Sequence, residues 1–383
     1  MTLLWTTRLW AYEIYPEYRS LQADEVSEVQ AAKNIDSEYQ SDILTFQKPF
    51  RWQANWLKQD KAFDLSVGSL SSKRFAIENR LKILAPLNPF IDFHFVYFEQ
   101  SDFEEQIRAH MLELLFWPHK KWGIAVYGEA SGFKSEDDVG VAIINKPHNN
   151  LYHRWFYTAT DFSRNQRNEQ ADYFKQKPSS FGWVTRWWSK ENSEFVELAL
   201  RVDRESEWVF PGQNITHFYN KRYLGVQSRH LLVAQYYLNT QISLTQRHEV
   251  SQSSVEFLKG EYQWQLETPT FNKGRWLYGL QYVDRLWRSS SGEVRHFNWL
   301  PHVWWQFTHW AWGYESTLFS AKGPTPLRSS LDTQSFRAEH RGNIKYGFVF
   351  AQAELNLLFT FDLDRLGTGE AWEGGNAQFT AHF

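Results

Sequence analysis

The sequence predicts an all-β chain built as one large antiparallel sheet, and three observations carry that expectation. The stretch "AQAELNLLFTFDLD" (351–364) alternates almost without fault from Ala353 onward. Leu355, Leu357, Phe359, Phe361 and Leu363 fall on one side, and Glu354, Asn356, Thr360, Asp362 and Asp364 on the other, the period of two that marks a strand with one apolar and one polar face. Twenty Trp, 18 Tyr and 30 Phe make up 18% of the 383 residues, a load that interfacial aromatic girdles consume and soluble domains rarely carry. No window approaches 18 consecutive apolar residues, so no transmembrane helix is expected.

Taken in chain order, the first strand is expected over 3–14 and the next over 43–56, with a long polar connection, 15–42, between them. Strands follow at 62–71, 74–85, 89–99, 106–117, 121–130, 137–146 and 150–162. Polar residues 163–179 read as a second long loop. The pattern resumes at 180–189 and 194–209, then a loop over 210–220 leads to 221–238 and 240–250. Strands 254–266, 275–288, 293–307 and 309–320 precede a last long loop, 321–335. In 275–288, Trp276, Tyr278, Leu280 and Tyr282 oppose Arg275, Gln281 and Arg285. Strands 106–117 and 293–307 are apolar on both faces for part of their length. In 336–350, Phe336, Ala338, Ile344, Tyr346, Phe348 and Phe350 oppose Arg337, Glu339, Arg341, Asn343 and Lys345, a charged face that a buried sandwich core would not tolerate. The last two strands cover 353–364 and 373–383.

With alternating direction, the short connections "APLN" (85–88), "PHKK" (118–121), "KENS" (190–193), "LNTQ" (238–241) and "FAQA" (350–353) fall at one end of the sheet. The long ones fall at the other, which is the asymmetry of outer-membrane barrels. Only the stretch 267–274 is out of place, a long connection at the short end.

The C-terminus adds a motif. "NAQFTAHF" resembles the terminal signal of bacterial outer-membrane β-barrel proteins: Phe383 ends the chain, with Ala381, Phe379 and Ala377 at alternate positions before it. The resemblance implies a single transmembrane antiparallel up-and-down β-barrel over 1–383; the segments counted above make it about twenty strands (18–22), and a first strand beginning near Met1 is expected to leave no room for a plug domain. It also implies a bacterial outer-membrane location, a lipid-facing apolar surface, extracellular placement of the long loops, and recognition of Phe379, Ala381 and Phe383 by the barrel-assembly machinery. The N-terminus, with Arg8 and Glu13 inside its apolar stretch, does not read as a signal peptide.

Charge and motifs narrow the function. Lys plus Arg number 41 and Asp plus Glu 44, a net charge of −3, with no long run of one sign, which speaks against nucleic-acid binding. Cysteine is absent, removing disulfides, thiolate metal sites and covalent haem attachment. No G-x-S-x-G, H-E-x-x-H, phosphate loop or EF-hand pattern occurs, so no enzyme and no cofactor are expected. His296 and His302 share a face, but six residues of strand put them roughly 20 Å apart, too far for one metal.

The expected pore-lining charges are Arg201, Asp203, Arg229, Arg247, Arg285, Arg337, Glu339, Arg341, Lys345, Glu354 and Asp362. Each can brace neighbouring strands by cross-strand pairing or line a conducting path. The functional expectation is a porin whose polar lumen is narrowed by loops such as 15–42 and 163–179. The alternatives are a sheath around a periplasmic or lumenal partner, as in porin–cytochrome conduits, and a polysaccharide-export barrel.

Overall fold

The computed structural model describes residues 61–382 apart from the stretches 71–73, 103–105, 132–137, 149, 160–172, 190–193, 211–214, 234, 251–253, 272–273, 290–291, 308, 323–335 and 351–352. It is one 20-stranded sheet, antiparallel at every pairing. The strands are β1 (Lys61–Leu70), β2 (Arg74–Asn88), β3 (Ile91–Asp102), β4 (Gln106–His119), β5 (Trp122–Ser131), β6 (Asp138–His148) and β7 (Leu151–Ala159). Next come β8 (Tyr173–Gln176), β9 (Ser179–Trp188), β10 (Phe195–Asp203), β11 (Ser206–Phe210), β12 (Ile215–Leu231) and β13 (Tyr237–Val250). The remainder are β14 (Ser254–Glu267), β15 (Arg275–Ser289), β16 (Gly292–Gln306), β17 (Trp310–Lys322), β18 (Phe336–Phe350), β19 (Ala353–Asp362) and β20 (Trp372–His382).

Neighbours along the chain are neighbours in the sheet, with one elaboration. Pro178, which has no N–H to donate, stands in the break between β8 and β9, and residues 204–205 separate β10 from β11. Before the first break and after the second, β8 pairs with β11, while β9 pairs with β7 and β10. Because β8 leads into β9 and β10 into β11, the twenty segments form eighteen lines of strand. β1 pairs with β2 on one side and with β20 on the other, from Ala62↔His382 to Ser69↔Gly375.

Each of the eighteen strands expected between 62 and 383 has a counterpart. The expected strands 3–14 and 43–56, the loop 15–42 and Phe383 lie outside the described residues, and so does any test of a plug. The expected loops are shorter than read. β8 lies inside 163–179, β17 extends to Lys322, and β12 begins at Ile215 inside 210–220. There the hairpin pairs Ser206↔Tyr219 through Phe210↔Ile215, so main-chain bonds outweigh a polar composition. The turn expected at 238–241 sits instead at 232–236, held by Leu232 N–H to Tyr236 O (2.8 Å) and Tyr236 N–H to Val233 O (3.1 Å). Gln235 takes a left-handed φ of 71° in it. Asn239, read as a turn residue, donates to Glu267 at 2.7 Å across two paired strands. The turn expected at 85–88 moves to 89–90, where the Asn88 side chain accepts from Phe90 N–H at 2.8 Å. Four of the connections at the long-loop end, 71–73, 103–105, 251–253 and 290–291, are also short, so the asymmetry rests mainly on 160–172 and 323–335.

The polarity of the sheet is the reverse of a soluble core. In β6, Asp138, Gly140, Ala142 and Ile144 are buried, while Val139, Val141 and Ile143 alternate with them on the exposed face. In β18, Arg341, Asn343 and Lys345 are buried, while Ile344, Tyr346 and Phe348 are exposed.

On the buried face, large rings lie flat over directly opposed glycines. Tyr127 covers Gly140, Phe156 covers Gly182, His302 covers Gly279 and Trp304 covers Gly313. A Cβ added to these glycines would stand 1.9–2.1 Å from the ring. The rings thereby seal the main chain beneath them. Gly182→Val, whose Cβ would stand 2.0 Å from Phe156 Cζ, should cost about 1–3 kcal/mol by overpacking. Adding Phe156→Leu should restore part of the loss, and urea unfolding in detergent micelles reads both effects.

Candidate functional site: the polar buried face

The ladder of main-chain bonds fixes which residues share a face, and it gathers most of the chain's described ion pairs onto the buried one. In β3–β7 these form a compact network. Arg154 of β7 meets Glu113 of β4 through both guanidinium nitrogens, at 2.7 and 3.3 Å. His94 Nδ1 lies 3.2 Å from the same carboxylate. Arg154 and Glu113 are 2% and 0% exposed. Their strands are three apart, about 14 Å at ordinary spacing; Tyr127 and Ile144 stand directly opposite them, and the diagonal between runs over Ala125 of β5 and Ala142 of β6. Small residues in the middle let the long side chains meet. The guanidinium also lies 5.4 Å from the Tyr127 ring. Trp117 Nε1 donates to Asp92 at 2.6 Å, and the Tyr127 and Thr158 hydroxyls are 2.6 Å apart.

Beside this network the buried face is apolar. Leu115, Trp117, Tyr127, Ile144, Tyr152 and Phe156 belong to one hydrophobic cluster that reaches Val184 and Ala199. Strand 106–117 was expected to be apolar on both faces for part of its length, and the "ELLFW" run of β4 shows how. Leu115 and Trp117 point to the buried side and Leu112 and Phe116 to the exposed side, which explains a strand apolar on both faces.

The predicted charges fall as follows. Arg201, Arg247, Arg285, Arg341 and Lys345 are buried, and Asp203, Arg229 and Asp362 are half-buried. Arg201 Nε donates to Asp203 along its own strand at 2.8 Å. Others brace the sheet: Arg229 holds Glu267 at 3.0 and 3.2 Å, and Arg275 adds a bond to Glu267 at 3.2 Å. Arg186 of β9 pairs with Glu197 of β10. On β17–β19 the cross-strand row reads Glu315, Arg341, Asp362, acid opposite base opposite acid. Arg337, Glu339 and Glu354 are placed by register only, opposite Phe319, Thr317 and Val349. Phe379 and Ala381 pair with Leu355 and Ala353 on one side and Leu65 and Phe63 on the other. His302 stands over Gly279 rather than beside His296. Sequence reasoning missed Glu113, Arg154 and Lys221. Their only signal was a charge at buried-face parity in a largely apolar or loop-like stretch.

The exposed face has its own order. Near the short-turn end Trp276 contacts Trp305 and Trp312, with ring centroids 4.6 and 5.6 Å apart. Further along the same strands Tyr282 contacts Tyr262 and Trp299 at 5.9 and 4.4 Å. Beyond that second group, charges appear on the exposed face: Arg295 with Asp284 at 2.8 Å and Arg288 with Glu293 at 2.9 Å.

No protein-family model and no curated protein matches the chain. Among solved structures it is similar to OccAB3 of Acinetobacter baumannii, with 8% identity and TM-score 0.47 over 84% of this chain and 98% of that one. It is similar also to OccK2 (OpdF) of Pseudomonas aeruginosa, solved with glucuronate, with 8% identity and TM-score 0.46 over 84% and 96%. A third is CdiB of Acinetobacter baumannii, with 10% identity and TM-score 0.45 over 85% of this chain and 60% of that one.

The Glu113–Arg154 pair is the part of this face most exposed to disruption. Glu113→Leu, which strands a buried guanidinium, should cost about 3–5 kcal/mol, and the double change Glu113→Leu with Arg154→Met should recover most of it. A double-mutant cycle in urea, read by loss of the folded form in micelles, measures the coupling.

Proposed function

We propose that the chain is a closed transmembrane β-barrel of the bacterial outer membrane, with eighteen spanning strands, that passes small solutes through its interior. One observation carries this reading: an apolar exposed face wrapped around a buried face of charges. A sheet so arranged presents Val141 and Ile143, each 51% exposed, to its surroundings, and hydrocarbon is the medium in which that face is stable. The pairing of β1 with β20 supports closure, since an open edge has no hydrogen-bond partners within a bilayer. The two aromatic groups on β14–β17 stand where interfacial girdles stand, and the exposed-face ion pairs begin beyond one of them.

In this reading Arg201, Asp203, Arg229, Arg247, Arg285, Arg341, Lys345 and Asp362 line the lumen, joined by register by Arg337, Glu339 and Glu354. The long connections lie outside the cell. The barrel-assembly machinery reads the C-terminal strand. The pairing of lumen charges within the wall itself, Arg154 with Glu113 and Arg229 with Glu267, favours a self-sufficient channel over a sheath. A wall made for a guest protein would leave such groups to the guest.

The test compares two changes on β13. Leu244→Arg puts a charge on the exposed face and should cost roughly 2–4 kcal/mol, whereas Gln241→Arg, on the opposite face, should cost no more than about 0.5 kcal/mol. Equal tolerance would mean that the exposed face meets water. The purified chain should also shift its gel migration on boiling and conduct in a planar bilayer; a silent bilayer would remove the channel reading while leaving the barrel.

A further inference from the structure

The row Glu315–Arg341–Asp362 alternates in sign across β17–β19, but on β12–β15 the same face does something different. Lys221 of β12 lies directly opposite Arg247 of β13, and Lys259 of β14 lies directly opposite Arg285 of β15. Lys259 pairs with Thr245, two residues from Arg247, so the two like-charged pairs meet on the diagonal. The strip is therefore continuous across four strands, and Arg201 of β10 extends it, opposite Tyr223.

Directly opposed like charges destabilise a sheet, and burial weakens the screening that would soften them. Lys221, Arg247 and Arg285 are only 1–2% exposed. Among the described side chains the carboxylates in the strip are Asp203, bonded to Arg201, and Glu261, 3.2 Å from Lys259. Glu249 shares the parity at the end of β13. Three acids against five bases leave the wall positive. Phe257, fully buried, holds the Arg247 guanidinium 5.2 Å from its ring centroid, keeping that charge against the wall.

We infer that this strip makes the lumen selective for small anions, carboxylate- or phosphate-bearing solutes, which it attracts through its field. The inference rests on the channel reading and names the class of solute that channel takes. Fixed charge beside a low-dielectric wall raises the local concentration of the opposite ion, and here the positive sector crosses β10–β15 while β17–β19 sets four acids, Glu315, Glu339, Glu354 and Asp362, against three bases, Arg337, Arg341 and Lys345.

The experiment measures reversal potential across a planar bilayer in a potassium chloride gradient. The wild-type channel should prefer chloride to potassium, and the double variant Lys221→Gln with Lys259→Gln should lower that preference by about three- to tenfold. A conducting channel with no anion preference, or one unchanged in the double variant, overturns the inference and leaves the channel standing. If the protein does not conduct, the channel reading fails and a second measurement decides the strip. Citrate should raise the thermal unfolding temperature of the micellar wild type more than that of the double variant, and an equal response in the two overturns it.

Discussion

Everything in this structure depends on one main-chain hydrogen-bond ladder handed from strand to strand across a single sheet. From β12 to β15 each strand keeps one register with the next over most of its length, as in Phe218↔Val250 through Leu231↔Tyr237. Because side chains alternate with a period of two, that register decides the face of every residue, and a slip of one position would exchange the two faces wholesale. The rings over the glycines, the Arg154–Glu113 contact and the run of cations on β12–β15 are all consequences of it. Where the ladder does shift among the described residues, at Pro86/Asn88, Phe116/His119, Asn145/His148, Glu207/Trp208 and Thr360/Phe361, the strands are near their ends.

The buried face carries two kinds of charge. Paired groups such as Arg229 and Glu267 hold strands together, and the sheet tolerates them because each satisfies the other. The row of cations sets Lys221 against Arg247 and Lys259 against Arg285, and the repulsion within each opposed pair costs stability even where a member such as Lys259 also meets a carboxylate. A fold retains such a row at a cost in stability, and that cost is the physical reason for connecting it with a solute rather than with the wall.

The sequence made the strands legible because alternation survives wherever one face is apolar and the other is not. β18 and β19 were readable to within a residue or two for that reason. It failed where composition and pairing disagree. "LNTQ" looks like a turn, yet Asn239 has a partner in Glu267 and the chain turns earlier, inside an apolar run. Residues 173–176 and 215–219 look like loop, yet they belong to strands that pair with β11. The predicted charges Arg201, Arg247, Arg285, Arg341 and Lys345 shared a face because parity alone decides that. Glu113 and Arg154 were invisible because their contact crosses two intervening strands, and no local pattern encodes that small residues lie between them.

The glycines beneath the rings tie together positions that are distant along the chain. Phe156 and Gly182 are 26 residues apart, yet neither can change size without the other. In the descendants of this sequence the two positions will therefore be inherited as a unit, glycine persisting for as long as the ring does, and a loss of the ring will be followed by the arrival of a side chain at the glycine. The same holds for Tyr127 with Gly140 and Trp304 with Gly313. A wall that looks like a row of independent side chains thus has, in heredity, fewer independent letters than it has residues.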